Sequence, residues 1–227
     1  MLVLISGTSR GIGKEMLKIF LKDPKCTVLA ISRKKQTPNK AGRSSDPIYV
    51  QADINTSKGR KAILSAVKKT GKKVDVLINN AGAIVKKPFN KISEKELKDV
   101  YQTNVFSPFL LTQELLPVLH SNAHVVNIGS MGGFQGSSKF PGLSAYSSSK
   151  SALAGLSECM AEELAPKKIK VNCLAIGAVQ TEMLSAAFPG YKAPLNANQM
   201  AEFIVWFALN AHQYMNGKVI PVSLSTP

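Results

Sequence analysis

The chain has 227 residues, 44% hydrophobic and 19% charged, with 29 Lys and Arg against 14 Asp and Glu for a formal net charge of +15. This length suits one domain with a sizeable core and is awkward for two, so residues 1–227 are expected to form a single domain. The composition excludes a disordered chain, and no apolar run approaches the roughly 20 residues that cross a bilayer, so no membrane role is expected. The positive balance attracts anions, but no zinc finger, aromatic stacking series or basic tail supports nucleic-acid binding. Cys26, Cys159 and Cys173 are too scattered for a disulfide framework, and with His120, His124 and His212 they form no metal-ligand spacing. A reduced, cytoplasmic, metal-free protein is expected.

In chain order, LVLIS at 2–6 reads as a buried strand rather than a leader, and a glycine turn follows it. Apolar residues at helical spacing cover 11–22. CTVLAIS at 26–32 is the second strand, 34–47 a polar loop and PIYVQAD at 47–53 the third strand. Asn55 or Ser57 caps a helix running to about residue 69. VDVLINN at 74–80 is a near-continuous apolar run, which suits a parallel strand covered on both faces. Residues 94–119 read as one long helix, kinked by Pro108. HVVNIGS at 124–130 is the fifth strand, followed by a Gly, Ser and Pro-rich loop at 131–144. A helix over 145–165 is stopped by Pro166. KIKVNCLAIG at 168–177 is the sixth strand, 178–196 a loop with short helices, 200–210 a helix and KVIPVSL at 218–224 the last strand. Strands alternating with helices and joined by right-handed crossovers imply a doubly wound parallel sheet: an α/β, three-layer Rossmann fold with loops 131–144 and 178–196 at its ligand edge.

Residues 6–13 read SGTSRGIG. Gly7, Gly11 and Gly13 sit between a strand and a helix, where a tight turn lets the backbone approach a pyrophosphate and the helix offers free amides. The second strand ends at Ser32, with no acidic residue for ribose hydroxyls. Arg33, Lys34 and Arg10 are cations suited to a 2′-phosphate, which favours NADP(H) over NAD(H). Asp53 ends the third strand; it either accepts from an adenine amino group or caps the following turn.

Tyr146 and Lys150 are four residues apart on one helix face. A phenol with pKa about 10 needs help to act as an acid–base at neutral pH, and a nearby ammonium lowers it. Lys150 also reaches ribose hydroxyls. Ser130, at a strand end, is placed to hold a substrate carbonyl oxygen. Asn104 is a poor helix former inside a helix, and its expected task is to hold a water that joins Lys150 to solvent.

These motifs, in this order over nearly the whole chain, resemble the classical short-chain dehydrogenases/reductases. The resemblance puts the glycine-rich turn on Gly7, Ser9, Arg10, Gly11, Ile12 and Gly13, the Asn-Asn-Ala-Gly stretch on Asn79, Asn80, Ala81 and Gly82, and the catalytic tetrad on Asn104, Ser130, Tyr146 and Lys150. It makes Asp53 and Ile54 an adenine-contacting pair and places Gly177, Val179 and Thr181 beside the nicotinamide. It implies an NADP(H)-dependent oxidoreductase acting on a small-molecule carbonyl or alcohol, with Tyr146 as proton donor. A homodimer through the helices at 94–119 and 145–165 is implied, and a homotetramer is the larger alternative. The rival is a cofactor-binding regulatory or scaffolding protein without catalysis. Three departures stand out: Ile176 replaces the proline usual before Gly177, the Ser130–Tyr146 spacing is long, and the segment after Thr181 is short, which argues for a more open pocket or for an atypical substrate. Met131, Phe134, Phe140, Met183, Phe188 and Tyr191 are expected at the pocket edge.

Overall fold

In a computed structural model of the chain, which describes residues 1–36 and 46–224, strands and helices alternate as the apolar periodicity requires. The first half contains β1 (Leu2–Ser6), α1 (Gly11–Phe20), β2 (Thr27–Ser32), β3 (Ile48–Gln51), α2 (Ser57–Lys69) and β4 (Val74–Asn79). The second half contains α3 (Glu94–Tyr101), α4 (Ser107–Leu115), β5 (Leu119–Ile128), α5 (Ser144–Leu164), β6 (Lys170–Ile176), β7 (Val179–Gln180), α6 (Glu182–Ala187), β8 (Leu195–Asn196), α7 (Ala197–Asn210) and β9 (Val219–Val222). Seven strands form one sheet in the order β3-β2-β1-β4-β5-β6-β9, every pair parallel. The order reverses between β1 and β4, so a crevice opens there at the carboxyl ends of the strands.

Successive strand residues point to opposite faces, and both faces are buried. Val3, Ile5, Val28, Ala30, Val76 and Ile78 pack on one side with Met16, Leu17 and Phe20 of α1 and Ile204 and Phe207 of α7. Leu2, Leu4, Leu29, Ile31 and Leu77 pack on the other with Ile63 and Val67 of α2, Leu111 and Leu115 of α4, and Met160 and Ala161 of α5. This is the three-layer α/β fold expected from the alternating pattern.

Several local details differ from the sequence reading. The helix over 94–119 is three pieces: α3, a π turn at Gln102–Phe106, and α4 ending in a 3₁₀ turn at Leu116–Val118. The distortion lies one turn ahead of Pro108, because an α-helix would bring the amide of residue 108 to the Asn104 carbonyl and proline has none. Thr56, not Asn55 or Ser57, caps α2 through its hydroxyl, which accepts from the Gly59 amide. β5 starts at Leu119 and reaches His124 through an irregularity in its pairing with β4, where Asn122 takes φ 75°. α7 starts at Ala197 because Asn196 and Gln199 form a reciprocal capping box. Residues 37–45 of the polar loop and 225–227 after the last strand lie outside the described residues.

Candidate active site

The glycine turn leaves β1 at the switch point. Gly7 and Gly11 hold φ of +78° and +53°, and a Cβ on Gly13 would stand 2.2 Å from the Gly7 carbonyl oxygen. The turn and α1 therefore close on each other only through bare backbone. α1 has no side-chain cap at Arg10, whereas α2, α3, α6 and α7 are capped by Thr56, Ser93, Thr181 and Asn196. Its first-turn amides remain available to an anion, the requirement for a pyrophosphate cradle. The stretch after β4 braces this turn. The Asn80 and Ala81 amides donate to Ser6 Oγ at 3.0 Å each, and Asn80 Nδ2 donates to the Ser6 and Gly7 carbonyls. Behind it, Asn79 Nδ2 donates to Asn127 Oδ1 at 2.8 Å, joining β4 to β5.

A cleft of about 660 Å³ runs from this turn across the carboxyl edge of the sheet. It brings together Gly7, Ser9, Arg10, Gly11, Ile12 and Gly13 from the turn, Arg33 and Lys34 beyond β2, and Asp53 and Ile54 beyond β3. Asn80, Ala81, Gly82, Tyr146, Lys150 and Thr181 line its far end. Sixteen of the residues assigned to a cofactor from sequence thus share one cavity. Gly177 and Val179 do not; they line a second, smaller cavity. Asp53 Oδ1 accepts from the Asn55 amide at 3.0 Å, so it braces the turn after β3 while facing the cleft. Asn55, Thr103 and Glu182 also line the cleft without having been expected there, and Met183, expected at the pocket edge, lines it too. Glu182 had a legible signal, as an acidic residue one position after a Thr cap.

Ser130, Tyr146 and Lys150 converge where the two cavities meet. The Ser130 hydroxyl hydrogen-bonds Tyr146, and its oxygen accepts from the Gly132 amide at 3.2 Å. Lys150 Nζ donates to the Ile128 carbonyl at 2.7 Å and lies 5.9 Å from the Tyr146 ring centroid. Burial lowers the Lys150 ammonium to about 8. The Tyr146 phenol is raised above its ordinary value by burial, with the Ser130 hydrogen bond opposing. The expectation that Lys150 holds the phenol low differs from this state, where desolvation outweighs the one opposing hydrogen bond, from Ser130. A phenol so placed is protonated at neutral pH and can donate.

Asn104 lines neither cavity. Its Nδ2 donates to the Ala83 carbonyl and to Ser149 Oγ at 2.9 Å each, and its Oδ1 accepts from the Ala83 amide at 2.8 Å. Ser149 Oγ in turn donates to the Tyr146 carbonyl at 2.7 Å. The amide is therefore occupied in tying the loop after β4 to the turn of α5 that carries Tyr146.

The smaller cavity has a volume of about 140 Å³. Met131, Phe140, Met183 and Phe188 line it as expected, while Phe134 and Tyr191 do not. Tyr146 and Thr181 border both cavities. The short segment after Thr181 supplies one wall of this pocket, through α6 and Phe188. Among the described residues, no group of three or more His, Cys, Asp or Glu is placed to hold a metal, and no helix is long and apolar enough to cross a membrane.

Residues 1–192 match the family model described as short chain dehydrogenase. The chain is 30% identical to the rhamnolipids biosynthesis 3-oxoacyl-[acyl-carrier-protein] reductase of Pseudomonas aeruginosa, over 97% of this chain and 94% of that protein. The structure of 3-ketoacyl-(acyl-carrier-protein) reductase from Brucella melitensis complexed with NADH superposes with a TM-score of 0.85 at 27% identity, covering 97% of this chain and 96% of the other. The Pseudomonas aeruginosa RhlG/NADP active-site complex gives 0.84 at 28% identity, covering 98% and 94%. Glycine cradle, cleft and Ser-Tyr-Lys convergence thus occur on the matching fold. The chain is an oxidoreductase that uses a nicotinamide dinucleotide on a carbonyl or alcohol, and it belongs to the short-chain dehydrogenase family.

Proposed function

We propose that this chain is an NADP(H)-dependent carbonyl reductase, with Arg10, Arg33 and Lys34 selecting the 2′-phosphate and Tyr146 protonating the carbonyl oxygen. The observation that carries the cofactor preference is the ribose end of the cleft. Arg10, Arg33 and Lys34 all line it, and the Ser32 hydroxyl that ends β2 is occupied in donating to the Lys34 carbonyl. No carboxylate stands at the end of β2 to receive ribose hydroxyls, and a guanidinium fork suits a phosphate.

The residues fit the dinucleotide along the whole cleft. The uncapped α1 amides and Gly7, Ser9, Gly11, Ile12 and Gly13, which line the cleft together, would hold the pyrophosphate. Asp53 and Ile54 would meet the adenine, Asn80, Ala81 and Gly82 would floor the middle, and Thr181, with Gly177 and Val179 of the adjoining cavity, would flank the nicotinamide. When bound, the nicotinamide supplies the hydride. Tyr146 and Ser130 hold the substrate oxygen, and the neutral phenol gives it a proton as negative charge develops. Lys150 lines the same cleft and binds ribose hydroxyls there. Asn104 positions α5 through Ser149, and the water of a proton path falls to its backbone carbonyl, whose α-helical partner is denied by Pro108. A raised phenol favours reduction at neutral pH; the reverse oxidation needs the phenolate and accelerates with alkalinity.

The seven-stranded sheet, whose strands are drawn from Leu2 to Val222, supports one domain for the chain. Exposed Phe106 and Phe109 on the outer face of the π turn and α4, with open space around Gly155 on α5, support a homodimer through these helices. Exposed Trp206 on α7 offers a further surface for a homotetramer. Three free cysteines suit a reducing, cytoplasmic setting. The deciding experiment compares kcat/KM for NADPH and NADH with one carbonyl substrate. A clear NADPH advantage is expected, and equal or better use of NADH would sink the preference.

A further inference from the structure

The 140 Å³ cavity beside Tyr146 is close in size to a dry protein cavity of about 150 Å³ that accepts benzene. None of its lining side chains is charged, and the hydroxyls of Ser130, Tyr146 and Thr181 are its polar groups. Those of Ser130 and Tyr146 meet at the reacting end, while Thr181 Oγ1 accepts the Leu184 amide as the α6 cap. The rest is Met131, Phe140, Leu143, Met183, Leu184 and Phe188 among others. A carboxylate entering here would leave its hydration without a cation to meet it.

One wall is fastened by a residue that sequence reasoning passed over. Lys86, in the loop after β4, donates from Nζ to the Ala187 carbonyl at the end of α6, at 2.6 Å. The same Nζ lies 3.9 Å from the centroid of the Phe188 ring. Phe188 meets Phe140 edge-on, with centroids 6.2 Å apart. The neighbouring Lys87 amide donates to the Gly142 carbonyl at 3.0 Å, joining the same loop to the one that carries Phe140. Three segments far apart in sequence therefore meet over the pocket, with the Lys86 ammonium at their junction.

Building on the hydride-transfer reading, we infer that the substrate is an uncharged carbonyl bearing one compact apolar group about the size of a benzene ring, and that Lys86 sets this size limit by fastening α6 and Phe188 over the pocket. Lys86 is a specificity-determining residue and touches neither reacting atoms nor cofactor. A bulkier group seated against α6 and Phe188 needs this wall to move, and the clamp of a charge-assisted hydrogen bond and a cation–π contact opposes that movement.

The test uses acetophenone, 2-decanone and pyruvate as probes with NADPH, on the full chain and on Lys86→Met and Lys86→Arg. Wild type should favour acetophenone over both others in kcat/KM. Lys86→Met should raise the acetophenone KM about tenfold and lower that of 2-decanone, with NADPH affinity unchanged. Lys86→Arg, which can make both contacts, should restore the wild-type order. Preference for pyruvate or 2-decanone in wild type, or an unchanged ratio in Lys86→Met, would overturn the inference. Saturation-transfer NMR of acetophenone reads the pocket without turnover. Binding without turnover would overturn the hydride-transfer reading and leave the pocket assignment supported. Absence of binding would overturn the pocket assignment itself.

Discussion

The two cavities that meet at Tyr146 are built by different means. The large cleft is made of backbone: a glycine turn, an uncapped helix end and strand termini, with cations at one extremity. The small cavity is made of side chains from loops that the sheet brings together, and its shape depends on Lys86, Phe140 and Phe188. Backbone geometry tolerates no added atom but is indifferent to most side chains. Side-chain walls are remade by single substitutions. Cofactor binding and substrate choice should therefore be separable by mutation, with Tyr146 the point where both are needed.

The largest effect should follow Tyr146→Phe. Turnover should fall by about 10²–10⁴-fold, the usual worth of a positioned proton donor, while NADPH binding measured by fluorescence persists. Gly13→Ala should break the cleft alone. Its methyl would meet the Gly7 carbonyl oxygen at 2.2 Å, so NADPH binding should be lost and stability should fall by about 3 kcal/mol in urea titration. Unchanged binding in that variant would mean the turn does not hold the pyrophosphate.

A third expectation concerns the opposite edge of the sheet, remote from both cavities. His124 is buried on β5; its Nδ1 donates to the Ala208 carbonyl and its Nε2 accepts from Asn172 Nδ2, each at 3.0 Å. Burial lowers its pKa to about 4. The folded state thus binds a proton less readily than the unfolded chain, whose histidine has a pKa near 6.5. The stabilisation is complete above about pH 6.5 and is lost as pH falls towards 4, by up to about 3 kcal/mol. Urea unfolding of wild type and His124→Gln between pH 7 and 4.5 checks this: the wild type should lose the larger share of its stability, and parallel pH curves would contradict it.

Smaller effects sharpen the contrast at the ribose end. Arg33→Ala should raise the NADPH KM by about 10–100-fold and that of NADH much less. Glu182→Gln should tighten NADPH by a few fold, because Glu182 brings a carboxylate into a cleft that receives anions, near Gly11. A weaker affinity in that variant would show that the carboxylate positions the cofactor instead.

The cleft was largely legible in the sequence because its determinants are local. A glycine turn between strand and helix, Tyr146 and Lys150 at one helical spacing, and basic residues at a strand end are all read within a few positions. Strand–helix alternation likewise carried the doubly wound parallel sheet through general rules of connection. The small cavity was only half legible. Met131, Phe140, Met183 and Phe188 are apolar residues on the expected loops, but Lys86 and Ala187 lie 101 positions apart, and nothing in either neighbourhood announces their contact. Asn104 was found by type and place, yet its side-chain partners depend on a π turn that a single proline imposes from one turn away. The state of the Tyr146 phenol depends on burial, a tertiary quantity that the four-residue spacing to Lys150 does not carry.

The central claim is that hydride moves across the seam between the cavities while Tyr146 supplies the proton. It is tested most directly with acetophenone and NADPH carrying deuterium at both C4 positions of the nicotinamide, by mass spectrometry of the alcohol from wild type and Tyr146→Phe. The account expects one deuterium on the carbinol carbon in wild type and almost no product from the variant. An alcohol free of deuterium, or undiminished product from Tyr146→Phe, would contradict it.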